Sequence, residues 1–290
     1  MERIRFFRPA PELRHVVRCY VQRHAVAQAA ALVHPVPARA SPILEFVLSD
    51  LFEVHWCDRP VIETSPRAVM IGLQTHRRVR LKVKGKLESF CIVFQPGGLF
   101  RLLSLPIHEL TDHDCEARAV LGPWVSRLRE QLGECGSFEE RARITDECLR
   151  HFSRLRICSD GVSAAANEIL LRHGDVSIPD LANRACLSLR QFERRFHDQV
   201  GMRPKLYSRI ARFEAALDGK ARSRTKSWTE IAHEFGYHDQ MHLVHDFGQF
   251  SGETPTNLVT EVERAHQSLI DAVRLGSVHP DDRDAARLFL

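Results

Sequence analysis

The chain has 290 residues, 41 Lys and Arg against 37 Asp and Glu, and a formal net charge of +4 with His neutral. That length accommodates two domains of ordinary size, and so mild a total makes the placement of charge more informative than its sum. Eight cysteines at 19, 57, 91, 115, 135, 148, 158 and 186 include no C-x-x-C pair, no apolar run reaches the roughly 20 residues of a membrane helix, and Met1 to Pro9 lacks a signal-peptide core. Dispersed thiols without a secretory frame place the expected protein in a reducing cytoplasm.

From the start to about residue 155 the chain reads as short strands followed by helices. Strands are expected at Ile43 to Leu48, Phe52 to Trp56, Ala68 to Leu73, Val79 to Val83 and Phe90 to Phe94, with Lys84-Gly85-Lys86 as a turn. Strict alternation of Val79, Leu81 and Val83 makes the fourth the clearest, and such a series favours a small barrel or sandwich. Helical patterns follow at Gly97 to Leu103, Pro123 to Leu132 and Phe138 to Phe152.

Several enzymatic readings fail on spacing. In His108-Glu109-Leu110-Thr111-Asp112-His113 the second His falls at i+5, off the helical face that a metalloprotease pair at i+4 shares. No G-x-S-x-G elbow or Gly-rich phosphate loop with Lys-Ser/Thr occurs. No catalytic residue, metal ligand or cofactor is assigned.

The polar segment Arg154 to Val162 marks a domain boundary, and a helix is expected from Ser163 to His173. One pattern then occurs twice. Ser177-Ile178-Pro179-Asp180-Leu181-Ala182, a turn at Cys186-Leu187 and Ser188 to Phe196 are followed about fifty residues later by Ser227-Trp228-Thr229-Glu230-Ile231-Ala232, a turn at Gly236-Tyr237 and Asp239 to Phe247. Each copy closes on Gly and Pro, at Gly201 and Pro204 and at Gly252 and Pro255. Ser177…Asp180, Ser188…Gln191 and Ser227…Glu230 have the spacing of a capping box. Short helix, tight turn and second capped helix read as helix-turn-helix.

In the second helix of the first copy, Leu189, Phe192 and Phe196 form the core-facing stripe, and Arg190, Glu193 and Arg194 share the opposite face. In a major groove an Arg pairs with guanine O6 and N7, and a Glu accepts from the cytosine amino group.

These residues resemble the AraC/XylS family of bacterial transcription regulators, over about Ser163 to Leu258. The segment Gly236-Tyr237-His238-Asp239-Gln240-Met241-His242-Leu243…Asp246-Phe247…Gly252-Glu253-Thr254-Pro255 looks like the family's most characteristic one. The resemblance implies two helix-turn-helix units joined by a long helix, here Lys205 to about Asp218, reading adjacent major-groove segments. It implies base-reading roles for Arg190, Glu193 and Arg194 in the first unit and for Gln240, Met241, His242 and His245 in the second. Ser188, Arg195, Lys220 and Arg222 are assigned to the DNA backbone.

Cys186 stands where the family's first turn usually has Gly, at a cost in strain if that position is left-handed. The larger departure is electrostatic: Leu181 to Lys226 holds twelve Lys and Arg against four acids, net +8, whereas Ser227 to Thr260 holds five acids and no Lys or Arg, net −5. The first unit is therefore expected to hold the phosphates. Four histidines in the acidic unit, His233, His238, His242 and His245, suggest DNA affinity that rises below about pH 6.5. His238, His242 and His245 share a helical face but lack a fourth ligand for zinc.

The amino-terminal half resembles, more weakly, the cupin-like sensor domain of a subset of that family, through Phe7-Arg8-Pro9-Ala10…Leu13, Gly72-Leu73-Gln74-Thr75, Phe94-Gln95-Pro96-Gly97-Gly98 and Glu109-Leu110-Thr111-Asp112. His34, His55 and His76 stand alone, without the His-x-His pair of metal-holding cupins. The expected fold class is α+β: residues 1–155 a cupin-like β-rich barrel with appended helices for effector sensing or dimerisation, residues 163–262 an all-α double helix-turn-helix, and residues 263–290 a helical extension from about Glu261 and a charged tail. The expected partners are double-stranded DNA, a small-molecule effector, a second copy of the chain and, for an activator, RNA polymerase, with no membrane. The alternative is an effector-binding or enzymatic β domain whose helical half makes protein contacts instead of binding DNA.

Overall fold

The computed structural model describes residues 3–26, 31–153 and 160–274. Ten strands come first: β1 (Arg3–Phe7), β2 (Val17–Val26), β3 (Leu32–Pro35), β4 (Ile43–Val47), β5 (Glu53–Trp56), β6 (Ile62–Thr64), β7 (Ala68–Ile71), β8 (Val79–Val83), β9 (Lys86–Phe94) and, after helix α1 (Gly98–Leu103) and a 3-10 turn at Ile107–Leu110, β10 (Asp114–Glu116). They form two antiparallel sheets, β1-β2-β9-β4-β7-β10 and β3-β8-β5-β6. The barrel-like expectation thus takes the form of two sheets with a cavity between them, lined by residues of both. All five expected strands are present, Val79–Val83 with its expected bounds, and five more had no clear signal in the sequence.

Helices α2 (Ala117–Leu121), α3 (Trp124–Glu134) and α4 (Phe138–Ser153) follow the strands. Tyr20 on β2 donates its hydroxyl to Asp146 Oδ1 on α4 at 2.6 Å, so a buried polar pair pins this helix to the larger sheet. Burial, then that hydrogen bond, push the Tyr20 hydroxyl far above its ordinary pKa, which keeps it a neutral donor.

The helical half comprises α5 (Gly161–Leu171), α6 (Ile178–Arg184), α7 (Leu189–Val200), α8 (Pro204–Arg222), α9 (Trp228–Glu234), α10 (Gln240–Ser251) and α11 (Pro255–Arg274). Two helices extend beyond their expected bounds. The connector α8 runs 19 residues to Arg222. Helix α11 starts at Pro255 rather than near Glu261, because a proline that forbids continuation of one helix suits the first position of the next. No described helix is long and apolar enough to cross a membrane. The charged tail His279 to Asp284 and residues 154–159 of the expected linker lie outside the described residues.

The two halves share one hydrophobic cluster, which runs from Tyr20 and Phe90 through Leu73 and Ile107 to Phe196, Tyr207 and Phe247. Backbone and side-chain bonds cross the same boundary. Ala38 N–H donates to the Phe250 carbonyl at 2.9 Å, Ala40 N–H to Glu214 Oε1 at 3.1 Å, and the Thr111 hydroxyl to the Gly201 carbonyl at 2.6 Å. Gly201 closes α7 with φ +107°, and a Cβ there would lie 2.8 Å from Leu73 Cδ1. Glycine at 201 therefore serves both the left-handed cap and the close approach of the β-rich part.

Candidate functional site

The two helix-turn-helix units differ at the turn by one residue but agree in their second helices. Helices α7 and α10 are each 12 residues long and start 51 residues apart. Ser188 caps α7 with a complete capping box, its hydroxyl accepting from Gln191 N–H while Gln191 Oε1 accepts from Ser188 N–H at 3.1 Å. Asp239 caps α10 by accepting from His242 N–H at 2.7 Å, and that bond first, then His238, hold its carboxyl below the usual carboxylate range. Ser227 and Glu230 form the expected box at α9, whereas Ser177 caps α6 through Asp180 N–H. The turns carry positive φ at Cys186 (+55°) and Gly236 (+71°), so Cys186 does occupy a left-handed position.

Phe192, Phe196 and Val200 are buried on the core side of α7. Leu189 departs from the expected stripe: it is 45% exposed, because as the first helical residue it sits at the open end of the helix, one turn short of the core. On the outward face Arg190, Glu193, Arg194 and Arg195 are all exposed, and no ion pair involves them among the described residues. On α10, Met241 is 72% exposed, Gln240 and His245 are exposed, and His242 is half-buried, with its ring edge-on to Tyr237 at 5.3 Å between centroids. Leu189 and Met241 thus place an exposed apolar side chain at the start of each second helix. Sequence reasoning missed Leu189, whose signal was its position immediately after the cap.

Other assigned residues have partners inside the protein. Gln240 Oε1 accepts from the Thr229 hydroxyl at 2.9 Å. Lys220 reaches back to the Arg224 carbonyl at 2.8 Å and to the Lys226 carbonyl, and lies over the Trp228 ring. Arg222 pairs with Asp218 one turn earlier. These two cations close the end of α8 and its turn into α9.

The acidity of the second unit also has a structural account, because each of its five acids is engaged. Glu230 belongs to the α9 capping box and Asp239 caps α10. Glu234 pairs with Lys226 at 2.8 Å. Asp246, fully buried, accepts from Arg209 of α8 at 2.5 Å. Glu253 meets Arg77 and Arg80 of the β-rich part at 3.6 and 3.1 Å, and Arg77 also reaches Glu261 of α11 at 2.6 Å. Glu234, Asp246 and Glu253 thus turn their charge to the connector, its following turn and the other half of the chain, whereas Glu230 and Asp239 stay exposed at the starts of α9 and α10.

At the first unit the 3-10 turn Ile107–Leu110 packs on the end of α7. His108 and His197 stack with ring centroids 4.3 Å apart, and His108 Nδ1 lies 3.4 Å from Asp198 Oδ1. Among the described residues, these three are the His, Cys and carboxylate group close enough to share a metal ion, which the histidines of α10 are not. Burial, then His108, hold the His197 imidazole below its ordinary value.

A cavity of about 290 Å³ lies between the two sheets and is closed by Phe213, Glu214 and Leu217 of α8. It therefore touches the helix that joins the two helix-turn-helix units.

Residues 181–261 match the family model described as a helix-turn-helix domain. This part of the chain is an AraC-type helix-turn-helix domain. The rest of the comparison places residues 5–116 in a Domain of unknown function (DUF6597), so the helix-turn-helix domain follows a separately defined amino-terminal one. Among solved structures the chain is similar to ToxT from Vibrio cholerae O395, at 10% identity and a TM-score of 0.46 over 83% of this chain and 97% of that one. It is similar also to unsaturated fatty acid bound wild-type ToxT from Vibrio cholerae strain SCE256, at 9% identity and a TM-score of 0.45 over 90% and 95%. No curated protein matches the chain.

Proposed function

We propose that the protein is a cytoplasmic, sequence-specific transcription regulator in which α7 and α10 read successive major-groove segments of one duplex. The observation that carries this reading is the pair of equally long, separately capped helices, each packed on the connector α8 through buried aromatics and each with an exposed face turned to solvent. Arg190 and Arg194 supply the guanine-pairing forks, Glu193 an acceptor for cytosine, and Leu189 and Met241 the apolar contact that a thymine methyl takes. His242, His245 and Gln240 complete the second reading surface. Ser188 and Arg195 flank the bases and reach phosphate, while Lys220 and Arg222 act mainly by shaping the turn between α8 and α9.

The β-rich part senses a small molecule in the cavity that α8 closes. Because the same part is bonded to both units, through Thr111 at Gly201 and through Arg77 and Arg80 at Glu253, a change in its packing alters how far apart and at what angle the two helices are held. Pairing of two copies through the β-rich part is part of the same reading.

The test is duplex binding by the purified chain as a function of salt. Phosphate neutralisation predicts an affinity that falls steeply from 50 to 200 mM salt, by about a thousandfold if some six phosphates are contacted. Salt-independent association, or none, supports the alternative of a helical half that makes protein contacts.

A further inference from the structure

The cavity between the sheets offers more than space. Its size is at the lower end of small-molecule sites, and its walls include Ile43, Val79, Leu81 and Phe213. The charged side chains that line it are unequal in sign: Arg23 and Arg39 stand against Glu45, Glu63, Asp114, Glu116 and Glu214. Arg23 already lies 3.8 Å from Glu45, and Arg39 is under the field of Glu214.

Three oxygen acceptors bordering the cavity are buried without a hydrogen-bond partner: Glu45 Oε1, Gln74 Oε1 and Asp114 Oδ1. Glu45 and Asp114 belong to neighbouring ladder positions of the larger sheet, where Ile43 pairs with Ile71, Ile71 pairs with Asp114, and Glu45 lies two residues beyond Ile43 on the same face, while Gln74 follows β7 and bridges to Arg39. Burial raises the Asp114 carboxyl above its usual pKa, outweighing Arg78 at 4.0 Å and a hydrogen bond from Gln74. Donors border the cavity as well: the Trp56 indole N–H is unpartnered there, and the Arg23 and Arg39 guanidiniums and the His34 ring line it too. Buried polar groups in native proteins are nearly always paired, so this set describes what is to be bound: several donors, one acceptor and an apolar body.

We propose that the cavity is the site of a small organic amine, whose N–H donors meet Glu45, Gln74 and Asp114 and whose carbon skeleton lies against the apolar walls. An ammonium has three donors and no acceptor, and it supplies the counter-charge that the lining lacks. A hydroxyl or ring oxygen on the same molecule accepts from Trp56. Glu214 brings part of this acidic lining from α8, so the amine acts on the connector itself; this step rests on the regulator reading above.

The test is calorimetric titration of the full chain with three probes of nearly equal shape: tyramine, tyrosol and 4-hydroxyphenylacetate. The proposal predicts that tyramine binds saturably, at least about tenfold more tightly than tyrosol, and that the carboxylate does not bind. Asp114→Asn and Glu45→Gln, which preserve shape, should each weaken tyramine by about tenfold or more. If either variant fails to fold, the ranking of the three probes on the natural chain still decides. Equal binding of tyrosol and tyramine, preference for the carboxylate, or no binding of any probe overturns the proposal. Duplex binding measured on the same preparation separates the two readings: DNA binding without amine binding refutes the amine site alone, and amine binding without DNA binding refutes the regulator reading alone.

Discussion

Arg209 on the connector α8 donates to Asp246 on α10 at 2.5 Å, and Asp246 is completely buried while Arg209 keeps 28% of its side chain exposed. Helix α10 is thereby fixed to the connector by a charge that water cannot reach. Removing one member of such a pair costs according to what is left behind. Arg209→Met strands a buried carboxylate and should destabilise the helical half by about 3–5 kcal/mol. Asp246→Asn leaves a partly solvated guanidinium and a neutral hydrogen-bonding amide, and should cost about 1–2 kcal/mol. Urea unfolding of both variants checks the asymmetry; equal losses would contradict it.

Arg190 is exposed, has no ion-pair partner among the described residues and stands at the second position of α7. Replacing it with Ala should cost about 1–3 kcal/mol on the preferred duplex and relax one base position, with little loss on random DNA. Arg195→Ala should weaken specific and random duplexes alike and flatten the salt slope by about one. Competition binding with each duplex gives both numbers.

The two left-handed turn residues make a matched test of backbone strain. Cys186, at φ +55°, carries a side chain where Gly236 of the second unit, at φ +71°, carries none. Cys186→Gly should stabilise the first unit by about 0.5–1 kcal/mol, the relief of strain exceeding the added freedom of the unfolded chain. Gly236→Ala should destabilise the second by about 1 kcal/mol, from conformation alone, since no atom stands within 4 Å of the added carbon. Thermal unfolding reports both signs.

Docking of the β-rich part on α7 should depend on pH through His197. Its imidazole is held below the ordinary value by burial first and by His108 second, with Arg203 also lowering it and Asp198 acting against them. The folded form therefore takes up the proton later than the unfolded form, whose value is about 6.5. Between those two values the unfolded state binds more protons, so this contribution is fully present above about pH 6.5 and is lost as pH falls below it. The difference in unfolding midpoint between the natural chain and His197→Gln, followed from pH 8 to 5.5, should be constant above 6.5 and change below it. A constant difference throughout would count against the role of His197.

What the sequence made legible follows from how locally each feature is encoded. Caps, turns and the 3.6-residue period are written within a dozen residues, so both helix-turn-helix units could be placed from Ser188, Gln191, Phe192 and Phe196 and from their counterparts 51 residues on. Val79–Val83 could be found because one of its faces is wet. Strand β2 was hidden by its site role: Gln22, Arg23 and His24 interrupt its apolar run, and Arg23 is only 7% exposed because it lines the cavity. Glu45, buried in the middle of β4, is a polar residue of the same kind.

The cavity itself was not legible, since it needs the register of two sheets and the approach of α8, contacts between residues more than 100 positions apart. The internal partners of the acids of the second unit were not legible for a related reason. A charge count along the chain does not distinguish a carboxylate facing DNA from one bonded to Arg77, Arg80, Lys226 or Arg209.

The central claim, that two helices of one chain read one duplex, is tested most directly by selecting and sequencing the duplexes that the purified protein retains from a random pool at about 100 mM salt. The account predicts an enriched motif of two half-elements about 10 base pairs apart, the second of which disappears when Met241, His242 and His245 are replaced with Ala. Enrichment of a single half-element, unchanged by those replacements, would show that α10 supports the fold without reading DNA and would contradict the claim.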